Sequence, residues 1–178
     1  MAGRRLLLIR HAKSDYPLGV ADHDRPLNAR GARDAPAVGR WLADHVAPSV
    51  GTRVCLSGAE RVQQTWTLAA GELGEEWSAV PVVTDDRVYE ASPGTLRQVI
   101  LDQLRVEGAE PTTVVLVGHS PGLPQLVAEL GRPSAIRADA LEKFPTSAVA
   151  VLETRLPWTQ AAEGPATFDV SSFAIPRG

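Results

Sequence analysis

Three stretches of the chain carry side chains that could act as nucleophiles. In VCLSGAER, five residues separate Cys55 from Arg61, the spacing of the phosphate-binding loop in cysteine-dependent phosphatases. VGHSPG contains the G-x-S-x-G pattern of a hydrolase nucleophile elbow, centred on Ser120. LLLIRHAKS places a guanidinium, Arg10, next to an imidazole, His11. These stretches imply three different enzymes, so the chemistry of each must discriminate between them.

A serine nucleophile conflicts with the residue that follows it. In an acyl-transfer enzyme the next backbone N–H forms part of the oxyanion hole, but Ser120 is followed by Pro121, which has no N–H. The chain order conflicts as well, because the histidine of an α/β-hydrolase follows its serine. Every histidine of this chain precedes Ser120, and the last of them is His119. The sequence therefore excludes an acyl-transfer serine.

A cysteine nucleophile remains an alternative. Cys55 lies at the end of a predicted strand, and Arg61 could hold a phosphate with its guanidinium fork. Against this, Glu60 would place a carboxylate beside the phosphate, and Val62 lacks the hydroxyl that commonly follows the arginine in such enzymes. A lone cysteine within RVCL is also typical of a small apolar side chain in a core.

A histidine nucleophile uses residues that the other two interpretations leave unexplained. Imidazole can attack phosphorus and form a phosphoramidate that water later cleaves. This chemistry needs a neutral His11, cationic groups around the phosphoryl oxygens and a proton donor for the leaving group. Arg10, Arg61 and His119 each stand at the end of a predicted strand or in the turn after it. Ligands of open α/β sheets bind at that edge, so one oxyanion could contact all of them.

Composition limits the classes of protein that fit. A chain of 178 residues with 44% hydrophobic and 22% charged residues predicts a single domain over residues 1–178. A net charge of -3 gives no indication of a nucleic-acid or membrane surface. The single cysteine excludes an internal disulfide framework, and the apolar run at 6–9 is too short to span a bilayer. We therefore expect a cytoplasmic protein.

Short apolar segments alternate with amphipathic ones along most of the chain. The predicted strands cover residues 5–9, 53–56, 81–84 and 113–117, and the predicted helices cover residues 29–46, 58–69, 93–104 and 121–130. This alternation predicts an α/β fold, a three-layer α/β/α sandwich with a mostly parallel central sheet. Two further strands, at 147–152 and 167–173, are joined without an obvious helix and predict an antiparallel portion.

Four stretches of the sequence, in this order, resemble the histidine phosphatase superfamily, whose fold is called phosphoglycerate-mutase-like. They are LIRHAKS at 8–14, RPLNARG at 25–31, SGAERVQQT at 57–65 and VLVGHSPG at 115–122. The small size, the short first loop and FPTSAVAVLE at 144–153 are most similar to the SixA-type phosphohistidine phosphatases. The resemblance implies that His11 is the phosphorylated nucleophile, that Arg10, Arg61 and His119 bind the phosphate, and that Cys55 only packs.

For the proton donor, the resemblance points to an acidic residue between the third strand and the third helix, where related enzymes often carry one. Glu90, in RVYEASPG, stands there: either burial beside Tyr89 raises its pKa and keeps it protonated, or it is an exposed loop carboxylate. Asp15 and Asp24, in the loop predicted at 15–27, are the alternatives.

Two further positions bear on the site. Ala12 stands where the family most often has glycine, a difference that matters if the backbone there has a positive φ. Arg25, in RPL, is either an additional substrate contact or an ion-pair partner of Asp22 or Asp24. We expect no metal and no other cofactor, because three consecutive residues at 22–24 cannot easily converge on one ion.

The expected function is a metal-independent phosphatase that works through phosphorylated His11. Its partner is a phosphorylated substrate, either a protein phosphohistidine or a small phosphate monoester, with no nucleic acid and no membrane. Two alternatives stay open at this point. The chain could be a non-catalytic module that binds phosphorylated ligands with the same arginines, or a phosphatase that depends on Cys55.

Overall fold

The apolar run near the N-terminus forms a central strand of a mixed sheet. The computed structural model describes residues 3–49, 51–105 and 110–178. In these residues the strands are β1 (Arg4–Arg10), β2 (Thr52–Leu56), β3 (Val82–Thr84), β4 (Thr113–Gly118), β5 (Val149–Thr154) and β6 (Asp169–Ala174). They lie in the order β3-β2-β4-β1-β5-β6. The first four strands pair in parallel and the last two pair antiparallel, which confirms the predicted sheet.

Helices cover both faces of the sheet. They are α1 (Ala29–His45), α2 (Glu60–Ala70), α3 (Pro93–Asp102), α4 (Gly122–Leu130), α5 (Ala135–Glu142) and α6 (Trp158–Glu163). Along β1 the side chains alternate between two cores: Leu6 and Leu8 pack with α3, α4 and α6, whereas Leu7 and Ile9 pack with α1 and α2. A strand buried on both faces must be apolar at every position, which explains the unbroken run. None of the helices within the described ranges has the length and apolar character needed to cross a membrane.

The structure corrects the sequence prediction near the C-terminus. The connection between β5 and β6 contains α6, so the prediction of a connection without a helix was wrong. Trp158 at its first position is fully buried, and its indole N–H donates a hydrogen bond to the carbonyl of Pro111. The six residues of α6 are too few to show a helical period. The helix α5 was not predicted either, and α3 ends at Asp102 rather than near 104.

A close contact between two helices positions the phosphate-binding arginine predicted on α2. A Cβ atom built on Gly39 of α1 would lie 2.0 Å from the carbonyl oxygen of Ala69 in α2. The backbones can approach this closely only because Gly39 has no side chain. The position of α2, and with it of Arg61, therefore depends on this glycine.

We expect Gly39→Ala to lower the free energy of unfolding by about 1–3 kcal/mol, because the added methyl group must push two backbones apart. Gly71→Ala is the matched control, since a Cβ there would lie 3.5 Å from its nearest atom, an ordinary contact. Urea unfolding of both variants measures the difference. Equal stabilities of the two variants would show that the helix contact does not depend on Gly39.

Candidate active site

The candidate site lies at the carboxyl edge of three adjacent strands, β2, β4 and β1. The pairing of β1 with β4 aligns Arg10 with Gly118, so the residues that follow, His11 and His119, become neighbours. Their ring centroids lie 5.2 Å apart. Both side chains are buried, each 7% exposed. The strand register therefore places together two imidazoles that are more than 100 residues apart in the chain.

The ring of His11 is held in one orientation by its own loop. Its Nδ1 lies 2.7 Å from the carbonyl oxygen of Ala12. Because a carbonyl can only accept, Nδ1 carries the proton, and Nε2 is left with a free lone pair. Burial, followed by the charges of His119, Arg61 and Arg10, lowers the pKa of His11 to about 3, against the opposing effect of the Ala12 hydrogen bond. The imidazole is thus neutral at physiological pH, as a nucleophile must be.

His119 forms the opposite wall of the site. Its Nε2 and the Oγ of Ser57 form a hydrogen bond of 2.9 Å, and Tyr89 packs edge-on against its ring at 5.4 Å. Burial, and then the charge of Arg61, lowers the pKa of His119 to about 4. Two neutral imidazoles therefore face each other beside fixed cations.

Arg61 is bound to a carboxylate that the sequence did not connect with it. It lies in the first turn of α2, is 6% exposed, and donates to both the backbone carbonyl and the carboxylate of Asp22. Tyr89 donates to the same carboxylate oxygen at 2.7 Å, and Arg25 donates to the other oxygen. These hydrogen bonds, led by that from Tyr89, hold the pKa of Asp22 well below its usual range. Asp22 is therefore a permanent anion against the arginine.

Arg10 is anchored on one side and free on the other. Its Nη1 donates to the carbonyl of Phe144 at 2.7 Å. Its Nε is buried and has no hydrogen-bond partner among the described residues. The half-buried guanidinium is thus fixed in position by a backbone contact while keeping a donor unused. A fixed cation of this kind is suited to an incoming oxyanion.

Arg25 forms the ion pair that was one of its two predicted roles. Besides Asp22 it donates to Ser14 at 2.7 Å and to the carbonyl of Asp15 at 2.8 Å. Its guanidinium also lies 3.4 Å from the centre of the Tyr16 ring. These contacts fold the loop at 15–27 onto the site, so Arg25 positions Asp22.

The predicted proton donor is placed differently from expectation. Glu90 lies in the turn before α3 with an exposed side chain and a φ of 48°. The expected burial beside Tyr89 was therefore wrong. The alternatives, Asp15 and Asp24, are exposed as well, and Asp24 pairs with His23 at 3.2 Å. Its neighbour Tyr89 packs against the ring of His119.

Two doubts raised by the sequence are answered by the backbone and by burial. Ala12 has a negative φ, and its N–H donates to the Thr65 hydroxyl at 2.9 Å, so alanine fits without strain.

Cys55 is fully buried within β2. Burial, and then the charge of Asp85, raises the pKa of this thiol to about 12. A buried, protonated thiol is a poor nucleophile, and this opposes the cysteine alternative.

The sequence analysis singled out His11, Arg10, Arg61 and His119. The structure brings them close enough together for the charges of the other three to lower the pKa of His11. The sequence did not connect three further contacts with them: the Asp22 carboxylate on Arg61, the Ser57 hydroxyl on His119, and the Tyr89 ring. The position of Ser57 directly after β2 was a usable signal, since strand ends supply ligands. The contacts of Asp22 and Tyr89 depend on how two loops fold over the sheet.

Comparison with known proteins identifies a family and relatives of similar length. A family model for the histidine phosphatase superfamily (branch 1) matches residues 6–115. An uncharacterized protein of Mycobacterium tuberculosis is 37% identical over 173 residues, covering 95% of this chain and 100% of its own. An uncharacterized protein of Mycobacterium leprae is 34% identical over 177 residues, with the same two shares.

Two solved structures extend the comparison. A Nakamurella multipartitia protein provisionally named phosphohistidine phosphatase SixA superposes with a TM-score of 0.80 and 27% identity, covering 99% of this chain and 98% of its own. An Agrobacterium tumefaciens protein with the same provisional name has a TM-score of 0.75 and 27% identity, covering 97% of this chain and 99% of its own.

The buried neutral histidines predict a loss of stability in acid. An unfolded histidine has a pKa near 6.5, whereas the folded values are about 3 for His11 and about 4 for His119. Below pH 6.5 the unfolded chain binds more protons, so stability decreases as the pH falls through that window. We expect His11→Ala to reduce the loss between pH 6.5 and 5 by roughly 2 kcal/mol, measured by urea unfolding.

His45→Ala is the matched control for this measurement, because His45 is exposed on α1. It should keep the wild-type dependence of stability on pH. An unchanged pH dependence in His11→Ala would contradict burial of the neutral imidazole.

The carboxylate on Arg61 should compete with any bound oxyanion. Asp22→Asn removes the negative charge but keeps an oxygen that can accept from Arg61 and Tyr89. We expect it to bind inorganic phosphate about three- to tenfold more tightly, measured by titration calorimetry, because a like charge close to the anion is removed. Asp24→Asn, in the same loop and exposed, should leave the affinity unchanged. Weaker binding by Asp22→Asn would mean that the carboxylate mainly holds Arg61 in place.

Proposed function

The chain belongs to the histidine phosphatase superfamily and is a phosphohydrolase, and we propose that His11 carries the phosphoryl group during turnover. The observation that carries this proposal is the hydrogen bond from Nδ1 of His11 to the carbonyl of Ala12 at 2.7 Å. It leaves the lone pair of Nε2 free on a neutral ring, beside Arg10, Arg61 and His119. No other nucleophile considered above combines access with the required protonation state.

The first step is in-line attack of Nε2 of His11 on phosphorus. The N–P bond forms while the bond to the leaving group breaks, and the leaving group takes that electron pair. The ring becomes cationic because Nδ1 keeps its proton, and the Ala12 carbonyl that accepts this proton stabilises the charge. Arg10 and Arg61 neutralise the phosphoryl oxygens, and His119 can donate one hydrogen bond.

The second step is attack of water on the phosphorylated ring. The N–P bond breaks, its electron pair returns to Nε2, and inorganic phosphate leaves. We assign proton transfer in both steps to Glu90, which follows Tyr89 in the turn that packs against His119. Protonated Glu90 serves the leaving group, and its conjugate base then accepts a proton from the water. Arg25 contributes by holding Asp22, and we place it at the rim of the pocket as an additional substrate contact.

We propose a protein-borne phosphohistidine as the preferred substrate. Glu90 is exposed, so it lacks the burial beside Tyr89 that was expected of the proton donor. An imidazole leaving group needs less protonation than an alkoxide, and such a substrate tolerates a weak acid. The two structures described above, both provisionally named phosphohistidine phosphatases, support the same choice. Small phosphate monoesters are the alternative substrates.

The decisive experiment measures hydrolysis of p-nitrophenyl phosphate in EDTA by the wild type, His11→Ala and Cys55→Ser. We expect His11→Ala to lose activity by about a thousandfold or more, because the nucleophile is gone. Cys55→Ser should retain activity, since the thiol is buried and protonated. Brief reaction with radiolabelled acetyl phosphate should also leave acid-labile label on the wild type and none on His11→Ala.

The reverse pattern, with activity lost only in Cys55→Ser, would overturn the histidine mechanism. Phosphate binding without turnover or label in the wild type would instead indicate the non-catalytic binding module. Comparison of kcat/KM for a phosphohistidine peptide with that for a phosphotyrosine peptide of the same sequence tests the substrate. A preference for the tyrosine ester would contradict the phosphohistidine assignment.

A further inference from the structure

A groove of about 570 Å³ has Arg10, one of the predicted phosphate-binding residues, in its lining. Four other cationic residues, from the segment after β1, the first turn of α1, the loop after α5 and the C-terminal tail, line it: Lys13, Arg30, Lys143 and Arg177. Phe144, Pro145 and Ile175 supply apolar surface between the charges. No Asp or Glu lines this groove in the described parts of the chain.

The charge of this groove is the opposite of that of the chain as a whole. The protein has a net charge of -3 and only two lysines, and both of them, Lys13 and Lys143, line this one groove. Within residues 3–49, 51–105 and 110–178 neither lysine forms a salt bridge. The ammonium group of Lys13 lies 5.8 Å from the centre of the Tyr16 ring, and neither lysine has its charge compensated by a carboxylate in these residues.

Unlike the two lysines, the arginines that line the groove away from Arg10 already have an acidic partner. Arg30 and Arg177 both contact the carboxylate of Asp34, at 3.3 and 3.2 Å, and Asp34 is only 3% exposed. This buried carboxylate fixes the two guanidinium groups and neutralises one of their two charges. The groove therefore has one side whose two arginines share a buried carboxylate, and another side whose two lysines have no acidic partner among the described residues.

Arg10 links the groove to the candidate site, because it lines the groove and its charge acts on His11. Nη1 of Arg10 binds the carbonyl of Phe144, whose neighbours Lys143 and Pro145 line the groove. A phosphoryl group on its way to His11 contacts one side of Arg10, so the groups flanking it in the substrate must pass close to these residues. Complementary charge at that position would be negative.

We propose that the groove binds acidic side chains that flank the phosphorylated residue in a protein substrate. This inference rests on the proposed phosphatase function and adds the class of sequence that the enzyme prefers. The cations come from four separate segments, and Ile175, 41% exposed, lies among them. An extended peptide with carboxylates and an apolar side chain can contact all of these together, whereas a small phosphate ester reaches only those next to Arg10.

The test is a binding measurement that does not depend on turnover. Two fluorescent peptides carry the same stable phosphonate in place of the phosphoryl group, flanked by three glutamates in one and by three glutamines in the other. We expect the acidic peptide to bind the wild type about tenfold more tightly at low salt, measured by fluorescence anisotropy, as several exposed ion pairs would give. The preference should largely disappear in about 0.5 M NaCl, where exposed charges are screened.

Lys143→Glu is the diagnostic variant, because Lys143 is exposed and lies outside the phosphate pocket. We expect it to reduce the preference for the acidic peptide to about twofold or less. Arg155→Glu is the matched control: it makes the same change of charge at an exposed residue after β5, near the opposite edge of the sheet, where Thr154 pairs with Arg4. It should keep the wild-type preference.

The outcomes separate the two proposals. Equal affinities of the two peptides for the wild type, or an undiminished preference in Lys143→Glu, would overturn the groove as an acidic docking site. The same reduction in Arg155→Glu would overturn it as well, since the effect would then come from net charge. If the acidic preference is found but no phosphopeptide is hydrolysed, the groove stands and the catalytic proposal fails.

Discussion

The register between β1 and β4 determines the chemistry of this protein. Pairing of Arg10 with Gly118 brings the next residues of the two strands, His11 and His119, to a ring separation of 5.2 Å. The parallel neighbour β2 ends at the same edge and adds Ser57 and the start of α2. A shift of one residue in a strand buried on both faces would exchange the two cores, so the apolar side chains of β1 fix the positions of the polar residues beyond its end.

Burial then sets the charge state of what the register has assembled. Two histidines that would be partly protonated in water are held neutral, because a cationic ring would be desolvated beside Arg61 and Arg10. Because the buried rings resist protonation, the folded protein loses stability relative to the unfolded chain as the pH falls. The carboxylate of Asp22 compensates the charge of Arg61 from the solvent side. Hydrogen bonds from Tyr89 and Arg25 lower the pKa of Asp22 and keep it ionised. The loop that carries Asp22 is therefore an electrostatic part of the pocket.

Much of the fold and the four central side chains could be predicted from the sequence, because both are encoded locally. Apolar runs predict buried strands, and polar residues directly after them, such as His11 and His119, predict a ligand edge. The rest depends on contacts between distant segments. The short helix α6 exists because Trp158 packs in the core, and the exposure of Glu90 follows from a turn with a φ of 48°, which its neighbours in the sequence do not specify.

Catalysis and recognition place opposite demands on a cation in this structure. Within the pocket the arginines must be fixed before the substrate arrives, and Arg10 and Arg61 are held by a backbone carbonyl and a carboxylate, respectively. Lysine carries its charge on a flexible side chain, which suits partners that vary in sequence. Both lysines of the chain line the groove. The two kinds of residue meet at Arg10, which belongs to both sites. In the mechanism proposed here, selection of a substrate by its flanking charges would act through the same arginine that helps to place its phosphoryl group on His11.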